Sequence, residues 1–208
     1  MKRIVFICIA VCESVFAQHA YNIALTNMID ALVRPNGTLD SSFTNQLAAY
    51  TVGMTNVIHV ANIDLVRAIS LVDMAEEEAA GDNLLPQAIA ICSKMLASTG
   101  LPTNTWQRGV AGVVLVGIYS FDGKRSAARY NATNCVSLAA HSISLDEDFV
   151  LWNAIAKHLD VEGLSVQDAI RCYSAVAVLA DDPSSNVYSY TNGLPETILV
   201  KIREIPEL

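Results

Sequence analysis

The 208-residue sequence is short of charge, of backbone punctuation and of recognisable chemistry. Only 16 % of its residues are charged, and it has 6 prolines and 10 glycines. No run of Lys or Arg is longer than the pair KR, and the net charge is −8 with a pI near 4.8. Such a chain lacks the electrostatic footprint that binding to nucleic acid or an anionic membrane requires, which leaves small molecules or other proteins as partners. After the first residues no apolar run reaches the ~18 residues of a membrane span. The longest, VAGVVLVGIY (Val110 to Tyr119), has the length of a core helix. No internal repeat or low-complexity segment interrupts the pattern.

Chemical motifs are equally sparse. There is no H-x-x-x-H, no H-E-x-x-H and no paired Cys spacing to bind a metal. There is no G-x-S-x-G, no P-loop, and no dinucleotide glycine pattern after a strand. The histidines His19, His59, His141 and His158 stand apart in the sequence. The carboxylates of DEDF (Asp146 to Phe149) fall in the first turn of a helical pattern, where they complement the helix dipole. The sequence therefore predicts no catalytic residues, no metal and no cofactor. A pair between Cys172 and a histidine is the one nucleophilic arrangement its residue types would permit.

What the chain does have is apolar content, 52 % of its residues, enough to bury one sizeable core as a single domain. The first residues read as an address. MKR gives a positive start, IVFICIAVC (Ile4 to Cys12) a short apolar stretch, and SVFA-Q a cleavage site after Ala17. Residues 1–17 are thus expected to be a secretory signal peptide, and residues 18–208 one secreted domain.

Removing residues 1–17 also removes Cys8 and Cys12, leaving Cys92, Cys135 and Cys172. In an oxidising compartment an odd number leaves one thiol surplus after an internal bridge, and spacing leaves all three pairings open. Secretion also makes the sequons NGT at Asn36 and NAT at Asn131 acceptors for N-glycans, unmodified residues being the alternative.

The periodicity is helical throughout. Patterns run from Ala20 to Val33, from about Leu39 to His59, and from Ala61 to Ala80 with Ile63, Val66, Ile69 and Met74 facing inward. NLLPQAIAICSKMLAS gives a helix with Pro86 in its first turn, stopped by Gly100 and Pro102. Trp106 to Phe121 is apolar nearly all round, as a central helix is, with a buried strand as the competing reading. Ser144 with Glu147, and Ser165 with Asp168, are capping-box arrangements that start helices running to about Leu159 and Ala180. Glu196 to Ile205 reads as a short helix or strand. The expected fold is an all-α single-domain bundle of seven or eight helices.

Several stretches together resemble a known family. LVDMAEEEAAGDNLLPQAIAICSKMLASTGLP and VAGVVLVGIYSFDGKRSAARY, then DEDFVLWNAIAKHLDVEGLSVQDAIRCYSAVAVLADDPSSNVYSY, are similar to the fibroin light chains of moth and caddisfly silk. The likeness spans roughly two thirds of the chain after residue 17, as a series of landmarks rather than one motif. It implies a secreted, non-catalytic helical subunit joined by one disulfide to a large repetitive fibroin heavy chain and supporting its secretion, with other silk glycoprotein subunits as further partners. The family keeps three cysteines, two bridged internally. By the resemblance Cys172 is the interchain cysteine, and Cys92 and Cys135 form the internal bridge. Cys92 departs from the pattern, lying within the helix before the Gly-Leu-Pro stop rather than after it.

At 100° per residue, Ala169, Tyr173 and Val176 mark the apolar face of the Cys172 helix and Gln167, Arg171 and Ser174 the wet one. Cys172 falls on the apolar side, about 50° from its centre. From another class, a secreted α-helical carrier of a hydrophobic small molecule also suits the apolar content and the glycine-punctuated VAGVVLVGIY segment.

Overall fold

The computed structural model describes residues 2–34, 39–77, 83–103, 105–121, 123–138 and 146–204. Among these residues every regular element is helical. The order is α1 (Lys2–Val33), α2 (Ser41–Tyr50), α3 (Val57–Glu77), α4 (Leu84–Ala97) and α5 (Trp106–Phe121), followed by α6 (Arg125–Leu138), α7 (Asp146–His158), α8 (Val166–Asp181), α9 (Tyr188–Thr191) and α10 (Glu196–Glu204). The expected all-α, single-domain class is the observed one. Ten helices are described where seven or eight were expected.

The difference lies in elements held by packing rather than by pattern. Helix α6, RSAARYNATNCVSL, is polar overall, and its described inward positions carry alanine rather than large apolar side chains, a weak periodic signal in the sequence. It forms against α5 and α8 through Ala128 and Ala132, both buried, where small side chains let backbones approach. The one-turn α9 is likewise a product of its place, between α8 and the final helix.

The pattern read from Leu39 to His59 is two helices. Asp40 caps α2, its Oδ1 accepting from Phe43 N at 2.8 Å. Helix α2 stops after Tyr50, where Gly53 takes a φ of +81°. Asn56 Oδ1 then accepts from Ile58 N at 3.0 Å and His59 N at 3.4 Å, so α3 begins four residues before Ala61. Inward placement of Ile63, Val66, Ile69 and Met74 is as expected.

Helix α5 occupies the span its composition predicted, and it is a helix rather than the competing strand. Residues Trp106 to Val116 are buried, and α5 packs on α3, α4, α6 and α8. Helix α8 starts at Ser165, whose Oγ accepts from Asp168 N at 3.1 Å. The matching cap at Ser144 lies outside the described residues. The final segment is helical, opened by Pro195, whose carbonyl accepts from Ile198 and Leu199 N, and by Glu196 in its first turn.

Candidate functional site

The most connected polar site lies where α1, α3, α5 and α7 meet. Asn62 Nδ2 donates to Tyr21 Oη at 2.8 Å and to Asp148 Oδ1 at 2.9 Å. Gln107 Nε2 donates to Asn62 Oδ1 at 2.9 Å, and Trp106 Nε1 donates to Asp148 Oδ2 at 3.2 Å. All five side chains are buried. His59 stacks on Tyr21 with ring centroids 3.6 Å apart. Burial pushes the Tyr21 hydroxyl up to about 12 and pulls the His59 imidazole below its ordinary value. Asp148 is in the first turn of α7, as expected, and is also a buried acceptor joining α7 to α3 and α5. Such a network fixes the mutual register of four helices, because a shifted helix would leave a buried polar group without its partner.

Two more polar contacts tie the same half. Arg108 donates to the carbonyls of Leu96 at 2.7 Å and Leu101 at 2.6 Å, and to that of Ser98, capping the end of α4 from α5. His158, at the end of α7, contacts Asp73 of α3, Nε2 to Oδ2, at 2.8 Å. That hydrogen bond, aided by the charges of Asp73 and Glu76 and a backbone bond to Leu32, raises the imidazole above its ordinary value against the opposing effect of burial. His158 is thus a three-helix clamp, not an isolated residue.

The thiols separate by environment. Cys92, on α4, is a free thiol with 0 % exposure, pushed up to about 12 by burial and by the nearby charge of Asp64 on α3. Cys172, on α8, is also a free thiol, 8 % exposed. Burial raises it too, but the charge of Lys201 on α10 acts in the opposite direction. Cys135 lies in α6, with its side chain outside the described set. Helix α4 packs chiefly on α3 and α5, and α6 on α5 and α8, so α5 stands between the two helices expected to share a bridge.

The face assignment of α8 needs one correction. Ser174, expected on the wet face, is buried, and its Oγ donates to Ala132 O at 3.1 Å. Helix α8 is covered by α6 on one side and by α9 and α10 on the other, so nearly all of its circumference is interior. Tyr173 Oη donates to Leu159 O at 2.9 Å, and Arg171 donates to Asp168 Oδ1 and to Asn192 O. A cavity of about 470 Å³ lies between α8, α9 and α10, bordered by Leu179, Val187, Tyr188, Leu199, Ile202 and Arg203 among others.

Of the two sequons, Asn36 lies outside the described residues. Asn131 is in the middle of α6, and its Nδ2, the atom a glycan would occupy, donates to Ala127 O at 2.8 Å. His141 is outside the described residues and His19 is exposed. Among the described residues no group of three or more His, Cys, Asp or Glu is placed to hold a metal ion. No helix among them is long and apolar enough to cross a membrane. The sequence carried no sign of Asn62 or Gln107 as paired core residues, since the partner of each lies more than forty positions away.

Comparison with protein-family models, with curated proteins and with solved structures finds no match to this chain.

Proposed function

We propose that this chain is a secreted structural subunit of the fibroin light chain kind, freed of residues 1–17 and joined through Cys172 to a very large repetitive partner whose export it supports. The contrast between the two described thiols carries the reading. Thiolate is the nucleophile in disulfide exchange; burial disfavours it at both thiols, but the charge of Lys201 works against that effect at Cys172 whereas the charge of Asp64 adds to it at Cys92. A covalent join makes permanent an association that a modest interface would hold only by mass action.

The fold adds a condition. Cys172 and Leu179 are seven residues apart and share a face of α8. Leu179 borders the cavity together with Leu199 and Ile202 of α10, and the charge of Lys201 acts on the Cys172 thiol, so α10 lies on the thiol's side of α8. Bond formation therefore belongs to a stage before α10 closes on α8. The internal Cys92–Cys135 bridge belongs to the same reading and requires α4 and α6 to approach across the end of α5. Removal of residues 1–17 would take away Phe16, which is 72 % exposed, and leave Tyr21 in the core.

Electrophoresis of the native secretion, with and without reductant, tests the proposal. The chain should run within a very large species that reductant collapses to the monomer and that Cys172→Ser abolishes. Monomer mass without reductant overturns the reading, as does peptide mapping that links Cys172 to Cys92 or Cys135. The second reading, a carrier of a hydrophobic small molecule, draws on the cavity between α8, α9 and α10, whose size falls within the roughly 300–1,000 Å³ of small-molecule sites. A monomeric secretion would favour it.

A further inference from the structure

We infer that the secreted chain carries a pyroglutamate at its amino terminus, formed from Gln18; this rests on the reading that residues 1–17 are removed after Ala17. Cleavage there makes Gln18 the first residue, the one position at which a glutamine side chain can react with its own α-amine. The unprotonated amine attacks the side-chain carbonyl carbon Cδ, forming a C–N bond and a five-membered lactam. The Cδ–Nε2 bond breaks, and Nε2 leaves as ammonia with a hydrogen taken from the amine. No oxidant, reductant or other reactant is consumed.

The structure leaves this side chain free to react. Gln18 is exposed, and the bond described for its amide runs from Nε2 to Asn22 Oδ1 at 2.9 Å, within its own helix and on the surface. Among the described residues no hydrogen bond from another helix holds the carboxamide in place. Tyr21, three residues on, is fully buried and bonded to Asn62, so the segment is anchored immediately behind the reacting residue. Lactam formation therefore touches no core contact, and the first helical N–H groups have no intrahelical partner to lose.

The product also suits the position better than the reactant does. Cleavage leaves Gln18 at the start of the remaining part of α1, where the helix dipole presents its positive end. A protonated α-amine there is a like charge at that end. The lactam removes it, as terminal acylation would. The cyclised terminus is closed to aminopeptidases, which need a free amine.

The test is terminal analysis of the secreted protein made from the full precursor in secreting eukaryotic cells, with free amines labelled on the intact protein before digestion. The expected terminal peptide starts at position 18, lacks one ammonia relative to its sequence and carries no amine label. Stepwise sequencing should stay blocked until pyroglutamyl aminopeptidase exposes His19. In Gln18→Asn, whose shorter side chain does not form the five-membered lactam, the same terminus should be open and labelled. A wild-type terminus at Gln18 with a labelled amine overturns the inference and leaves the cleavage reading standing. A terminus at any other residue, or a chain retained with residues 1–17 attached, overturns both.

Discussion

Around α3, side chains from four helices meet in one buried polar network, whereas α10 is seated by buried apolar side chains, with its described ion pairs at the surface. Asn62, Gln107, Asp148 and Tyr21 each depend on a partner from a different helix, so that half of the bundle has one permitted register. At the other end Ile198 and Ile202 of α10 are buried, and the Lys201–Asp160 pair, reaching the turn after α7, and the Arg203–Glu196 pair, within α10, lie at the surface. Exposed pairs of that kind contribute about 0–1 kcal/mol each. The same residue type therefore meets different surroundings in the two places: Cys92 is fully buried on α4 near the charge of Asp64, and Cys172 is buried on α8 near the charge of Lys201 on α10.

The largest expected effect comes from breaking the network. Asn62→Ala removes the donor to Asp148 and Tyr21 and the acceptor of Gln107, and should lower the unfolding free energy by about 3 kcal/mol or more. Denaturant titration measures it. A loss under 1 kcal/mol would mean that water takes over the pairing and that the two halves are held alike.

Next comes Ile202→Ala, at about 2 kcal/mol, from lost burial and an incompletely filled cavity. Its more telling readout is thiol labelling of the folded protein. With the thiols reduced, Cys172 should label faster than in the wild type, while Cys92, fully buried and pushed up to about 12, should stay unreactive. Equal acceleration at both thiols would show that α10 is not a separate cover but part of one cooperative unit.

The smallest effect is a pH dependence on the α3 side. The His158 imidazole is raised in the folded state above its unfolded value of 6.5, so its contribution is complete below pH 6.5 and is lost as pH rises through the folded value. Thermal unfolding across that window should show His158→Gln flattening the decline. His59 has the opposite sign: burial lowers it, so protonation opposes folding as pH falls below 6.5. A wild-type profile that His158→Gln leaves unchanged would remove the clamp from the comparison.

Much of the fold was legible because helical periodicity is local. The spans of α5 and α8, the Ser165 cap and the inward face of α3 follow from spacings of three and four residues. Helix α6 was not legible, because its sequence is polar overall and its buried positions are the small Ala128 and Ala132, against α5 and α8. Ser174 was misplaced for a related reason: a wheel assigns a polar residue to water, but α6 offered it the Ala132 carbonyl. The candidate thiol was legible as a residue and as a member of an odd set; its cover by α10 was not.

By itself the sequence determined the class of the protein. Apolar spacing, scarce glycine and proline, and helix caps act over one or two turns, and together they compel helices enough for a single core. Only the tertiary structure decided which polar groups meet and which thiol is sealed. Asn62 and Asp148 are 86 positions apart, and Cys172 is influenced by Lys201 across two turns and a short helix. Hydrogen bonding and desolvation depend on distances in space, which helix packing sets.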